Sequence, residues 1–458
     1  MEESTAGVKV LLGNQRKGII ALAIPIGVAL FFQQLNNIVD SLWVAGLGGS
    51  AMSALGIVYP IYTILIGIGN GLGIGVGAAI ARNIGQRNHD DANRSAAQGI
   101  FITLVVSVIL TPILMLTAEQ TMVFMGAGDT LGDCLEYAYP IYISTFFVIL
   151  SGVMSGMLRG EGAAKRSMAI QVAGALVNIV LDPIMIYGLG MGVSGAAWAT
   201  IIAFVVSCAI ATFWYLRGKG MYISIRRSDY RPDMRVCRGI MSVGGPEALE
   251  LSIMYLFNIF LNYMVIECGG TDMVGLYSTG WRIANFILII AQAMGGAMVA
   301  VCAAEYGMRR FDMIRDGFRY SVVTSILWTL GLSVVLALGA GMLASVFTVS
   351  DDLAYLHGDM TQMLYFFALF LPVMSMVYTG SSLMQSIDKA TGGMINSLAR
   401  NIIMSGAFFI ATVTFGTLTS LWWAMALSEI LGGVMMGAHA LIVLRRTERK
   451  ESVPAPHA

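Results

Sequence analysis

Twelve apolar segments, each near twenty residues or longer and separated by polar loops, decide the architecture open to this chain. They fall at approximately 19–45, 52–80, 96–117, 134–157, 168–190 and 193–216, then at 240–266, 272–302, 320–347, 361–385, 394–414 and 420–444. About 20 apolar residues cross a bilayer as a helix. In lipid, backbone polar groups find partners only within a helix or a closed barrel. The expected fold is therefore all-α: a polytopic membrane protein with 12 transmembrane helices in two pseudo-symmetric six-helix lobes. Composition agrees, since only 12% of the 458 residues are charged, about half the share of a soluble protein.

The distribution of Lys and Arg orients the spans. With the N-terminus inside, the interior segments hold 25 of the 27 basic residues, whereas exterior loops carry acids such as Glu119, Asp129, Asp133, Asp351 and Asp352. That asymmetry is the positive-inside pattern, and it predicts cytoplasmic N- and C-termini in a cell (plasma) membrane. The first 17 residues lack an apolar core, so the first span is expected to act as the insertion signal.

The basic stretch 217–239 divides the chain into an N-lobe (1–216, spans 1–6) and a C-lobe (240–444, spans 7–12), with a cytoplasmic tail at 445–458. The lobes resemble each other. Ile24-Pro25 corresponds to Gly245-Pro246, and Gly48-Gly49 to Gly269-Gly270, both 221 positions on. One insertion later Gly85 and Arg87 meet Gly307 and Arg309, and at an offset of 226 Arg159-Gly160 meets Gln385-Ser386. Repeated halves with a site between them describe an alternating-access carrier.

Against this background two acids stand out. Asp40 and Asp182 lie inside spans 1 and 5, each four residues after an asparagine, Asn36 and Asn178, and so on the same helical face as it. A carboxylate at mid-membrane costs at least about 2.5 kcal/mol on insertion scales and is functional by default. Helix rise places Asp40, Asp182 and Thr200 of span 6 at one depth in the outer half of the membrane. Carboxylate, amide and hydroxyl oxygens at one level suit a proton or a small hard cation. Pro25 and Pro183 sit in the same two helices, where they would bend them. The repeat does not copy the acids: at the offsets above Asp40 meets Leu261 and Asp182 meets Phe408. In the C-lobe, Glu250 and Arg282 are expected to form a structural ion pair. Phe31, Tyr62, Met154, Met157, Tyr277 and Trp281 are expected to help line a greasy cleft suited to flat cations.

Taken jointly, Asn36-Asn37-Ile38-Val39-Asp40-Ser41-Leu42-Trp43-Val44, Leu158-Arg159-Gly160-Glu161-Gly162, Asn178-Ile179-Val180-Leu181-Asp182-Pro183 and Gly280-Trp281-Arg282-Ile283 resemble the multidrug and toxic compound extrusion (MATE) family. The likeness spans essentially the whole chain. It implies a cation-coupled (H+ or Na+) antiporter that exports amphipathic, often cationic aromatic compounds from a cleft between two bundles. It also implies an N-lobe cation site formed by Asp40, Asn178, Asp182 and Thr200, with Tyr137 nearby. Some branches carry acids well inside the seventh span and in the tenth. Here the tenth has none, and Glu247 and Glu250 lie nearer the inner end of the seventh, so coupling through the N-lobe is implied.

Other classes fit less well. A lipid-linked glycan flippase of the same superfamily would line its cleft with several basic residues, whereas only Arg282 and Arg400 lie inside spans. A membrane-embedded hydrolase would show a Gly-Asp dipeptide or a histidine metal pair, and neither aspartate follows glycine. No catalytic residue is expected. The five cysteines are scattered, which predicts neither metal nor cofactor beyond the coupling ion. Zero net charge points away from nucleic acid. The expected partners are a small amphipathic molecule and membrane lipid, and the chain is expected to be a monomer.

Overall fold

The computed structural model describes residues 5–349 and 354–452; Asp351, Asp352 and the end of the tail lie outside them. A short helix α1 (Ala6–Leu11) precedes α2 (Gln15–Ala45), α3 (Gly49–Gly85), α4 (His89–Phe124), α5 (Leu131–Ile143), α6 (Thr145–Gly160), α7 (Ala164–Pro183) and α8 (Gly192–Arg217). Then follow α9 (Met234–Gly307), α10 (Phe311–Phe347), α11 (His357–Ser386), α12 (Ala390–Thr414) and α13 (Leu418–Ser452). Among the described residues, ten helices are long and apolar enough to cross a membrane, and the bent pair α5–α6 makes an eleventh crossing. Division of α9 at Gly270 makes the twelfth.

Two spans differ from their expected form. The fourth, expected as one helix, turns through 54° between α5 and α6. Pro140 removes a backbone donor there, and Thr145 Oγ1 bonds the Tyr142 carbonyl at 2.7 Å, both recognised causes of kinks. The seventh and eighth, expected to be separated by a loop, run together with Gly270 as the one non-helical residue (φ 77°, ψ 176°). Its counterpart is Gly48 (φ 107°, ψ −179°) at the start of α3, a backbone region reserved for glycine. The two glycines are 222 apart, the spacing of Arg87 and Arg309, whose φ angles are 58° and 59°. The insertion in the repeat therefore falls between Pro246 and Gly270, earlier than the motif matching placed it.

The chain forms two compact units, one of 1–251 with 303–309 and one of 252–302 with 310–458. In the first, glycines set the closest helix contact. Gly69, Gly73 and Gly77 of α3 face Gly152, Gly156 and Gly160 of α6, and a Cβ on Gly156 would lie 2.0 Å from the Gly73 carbonyl oxygen. Without a hydrophobic drive between helices in lipid, such small-residue seams hold them together by close packing. Outward-facing positions are apolar: Val108, Ile109 and Leu116 on α4, and Leu327, Val335 and Leu338 on α10, are exposed, as lipid contact requires.

Candidate functional site: the paired aspartates

Helices α2 and α7 pack along one another and bring their Asn-x-x-x-Asp faces together. Asn36 Nδ2 donates to Asn178 Oδ1 at 2.8 Å, and Asn178 Nδ2 donates to Asp182 Oδ1 at 2.9 Å and to Thr200 Oγ1 of α8 at 3.5 Å. The carboxyl groups of Asp40 and Asp182 come within hydrogen-bonding reach of each other. Tyr62 and Tyr137 both lie within electrostatic reach of the two acids. Asn36, Asp40, Asn178, Asp182, Thr200 and Tyr137 thus occupy one place in the first unit. Asp182 is fully buried and Asn178 nearly so.

The donors do not match the acceptors. Asp40 Oδ1, Asp182 Oδ2 and Asn36 Oδ1 are buried oxygens with no hydrogen-bond partner. A buried acceptor left without a donor is costly. A proton or a small hard cation would supply such oxygens with the missing partner.

Past Asp182 the helix changes form. Pro183 lacks an N–H, and Ile184–Gly188 continues as a π turn, a widening common at functional sites. Leu189 N–H bonds the Ile184 carbonyl at 2.8 Å. Tyr187 on this turn donates to the Trp43 carbonyl at the end of α2 at 2.5 Å, so both acid-bearing helices are tied together beyond the acids. Pro25 sits within α2, which runs unbroken from Gln15 to Ala45.

The expected cleft residues fall in both units. Tyr62 borders a cavity in the first unit, and Phe31 is exposed beside Phe32. Met154 joins an apolar cluster with Leu150, Leu158 and Ile170, and Met157 is fully buried. In the second unit Tyr277 stacks on Trp422 at 5.9 Å, while Trp281 packs on Phe367 and Phe370. Glu250 belongs to the first unit and Arg282 to the second.

Two features escaped the sequence reading. One is a buried ion pair in the second unit: Arg400 Nη1 on α12 meets both oxygens of Glu429 on α13 at 2.8 and 2.7 Å. The signal was available as two isolated opposite charges in consecutive spans. The other is the stretch after α8, read as a connector, which is strapped onto the first unit. Glu161 Oε2 accepts the N–H groups of Tyr222 and Ile223 at 2.9 and 3.2 Å, and Asn93 Oδ1 accepts that of Ser224. Gln98 Nε2 donates to the Asp229 and Arg231 carbonyls, both at 2.9 Å. Burial pushes the Glu161 carboxyl up to about 7, against the opposing effect of those two N–H groups.

A fold of twelve crossings with an acid pair buried among amides fits a membrane transporter. The MatE family model matches residues 25–184 and 246–410, most of both units, and the chain belongs to that family. It is 26% identical over 426 residues to the multidrug export protein MepA of Staphylococcus saprophyticus, covering 91% of each chain. Among solved structures it matches MATE in the straight conformation with a TM-score of 0.93 and 29% identity, covering 98% of this chain and all of the other. The bent conformation gives 0.92 and 28% over the same shares.

Proposed function

We propose that this protein is a cation-coupled antiporter that exports amphipathic, mainly cationic organic compounds by alternating access, from a plasma membrane in which both termini are cytoplasmic. The name of the relative MepA supports drug export, and the three orphan oxygens of Asp40, Asp182 and Asn36 carry the coupling. Entry of H+ or Na+ supplies the missing positive partner; its departure leaves two close carboxylates that repel. The two acids stand on different helices, so that repulsion acts across the α2–α7 contact. Pro25 and Pro183 in those helices offer places for the change to become bending. The protein works as a monomer in this reading, with lipid around it.

A lipid-linked glycan flippase is less well supported. Of the two intramembrane arginines, Arg400 already faces Glu429, which leaves Arg282 alone to hold a pyrophosphate. Ethidium transport in proteoliposomes decides the matter, under a pH gradient without sodium and then under a sodium gradient at equal pH. One gradient should drive it, and Asp40→Asn and Asp182→Asn should each abolish the dependence. Normal gradient-driven transport in both variants would overturn the reading.

A further inference from the structure

Inward of the carboxyls the first unit contains a cavity of about 120 Å³, large enough to hold several waters. Asn36, Asn178 and Thr200 border its outer end, and Asn70, Ser155, Gln171 and Ser207 its inner end. Gln171 lies seven positions inward of Asn178 on α7, and Ser207 seven inward of Thr200 on α8, which is about 10 Å of helix. A polar rung stands at the inner end. Gln171 Nε2 donates to Ser155 Oγ at 3.0 Å and Ser167 Oγ at 3.2 Å, and the two hydroxyls lie 2.8 Å apart. Both serines are buried. Among the described residues, every polar side chain lining the cavity is uncharged.

The repeat shows that the scaffold can fill this place. Helices α7 and α12 begin at Ala164 and Ala390, and α8 and α13 at Gly192 and Leu418, each pair 226 apart. In that register Gly174 and Ala203, both on the cavity wall, correspond to Arg400 and Glu429. One unit carries a buried ion pair where the other has two of the smallest residues, and a Cβ on Gly174 would already meet Ser207 Oγ at 2.4 Å. Open polar cavities hold water, and water among neutral amide and hydroxyl groups passes a proton or a sodium ion without a fixed charge to trap it.

We propose that this cavity is an inner conduit for the coupling cation. Through it H+ or Na+ exchanges between the Asp40–Asp182 site and the face carrying the strap, past a gate formed by Gln171, Ser155 and Ser167. The proposal rests on the cation-coupled reading above. It predicts that blocking the cavity slows turnover while leaving the coupling equilibrium intact.

The test transplants the plug: Gly174→Arg, Ala203→Glu, Val206→Gly and Ser207→Gly together. The last two changes are needed because position 206 corresponds to Gly432, where a Cβ would come within 2.4 Å of the Arg400 stem, and because a Cβ on Gly174 would meet Ser207 Oγ at 2.4 Å, where the other unit has Gly433. Two measurements are made on the purified full chain. In detergent, where both faces meet bulk solvent, H+ or Na+ should release bound ethidium with the wild-type midpoint. In proteoliposomes, transport driven by the active cation should fall about tenfold or more, a barrier increase of about 1.4 kcal/mol or more. Gln171→Leu, similar in size, should give the same split, and it decides the matter if the quadruple variant does not fold. Wild-type transport by Gln171→Leu overturns the conduit, with the cation then leaving by the drug route. So does loss of cation-triggered release in that variant, which would make Gln171 part of the cation site. Failure of the coupling reading is distinct: ethidium release in the wild type would ignore both cations, or would persist in Asp182→Asn.

Discussion

The ion pair between Arg400 and Glu429 makes a prediction whose sign pattern follows from geometry. Both carboxylate oxygens face one guanidinium nitrogen, at 2.8 and 2.7 Å, and Arg400 Nη2 reaches Asn401 Oδ1 at 3.3 Å. The side chains are 8% and 1% exposed, so water cannot replace a lost partner. Removing one member of such a pair costs about 3–5 kcal/mol, whereas replacing both by apolar residues of similar volume is often neutral. The members are not equivalent. A guanidinium cannot shed its proton, while an orphaned carboxylate can acquire one. Glu429→Leu should therefore stand near 5 kcal/mol and Arg400→Met near 3, within the same range. Acidification should restore Arg400→Met and leave Glu429→Leu unchanged. The double variant Arg400→Met/Glu429→Leu should return close to wild type, a coupling energy of about 3 kcal/mol or more. Thermal unfolding in detergent, followed by size-exclusion fluorescence at two pH values, reads the order. Additive losses in the double variant would refute the reasoning.

Two further outcomes test the packing and the strap. Gly156→Val should prevent the α3–α6 contact, because its Cβ would fall 2.0 Å from a backbone oxygen that cannot move aside; the cost is about 3 kcal/mol or more, read as loss of monodisperse protein in detergent. At Glu161, whose carboxyl titrates near 7 rather than the ordinary 4.5, the folded state holds a proton that the unfolded chain releases. Its stabilising contribution is complete below about 4.5 and is lost as pH rises through about 7. The melting temperature of wild type relative to Glu161→Gln should therefore decline between those values, and a flat difference would show that Glu161 is not buried as described.

The spans were legible because a lipid-exposed backbone has no alternative to a helix, and apolar length alone reports that. The repeat was legible because matching residues such as Arg87 and Arg309 recur at the same left-handed turn of each half. The bend between α5 and α6 was not, although Pro140 stood in plain view, because prolines such as Pro25 lie within helices that run on unbroken. The strap was missed since Arg217–Arg238 reads as a soluble basic loop. Its anchors Glu161, Asn93 and Gln98 are far away in sequence and act on backbone groups, which leave no residue-type signature.

The sequence by itself determined twelve helices, their duplication and the costly acids in the N-lobe, each a consequence of what hydrocarbon will and will not tolerate. Tertiary structure decided what those acids face. Helical spacing placed Asn36 beside Asp40 and Asn178 beside Asp182, but only packing of α2 on α7 and α8 showed the donors running out before the acceptors. It also showed the Arg400 and Glu429 side chains meeting across α12 and α13. Periodicity specifies the face a side chain occupies; the partner it meets there depends on interhelical distance and rotation, which close packing sets.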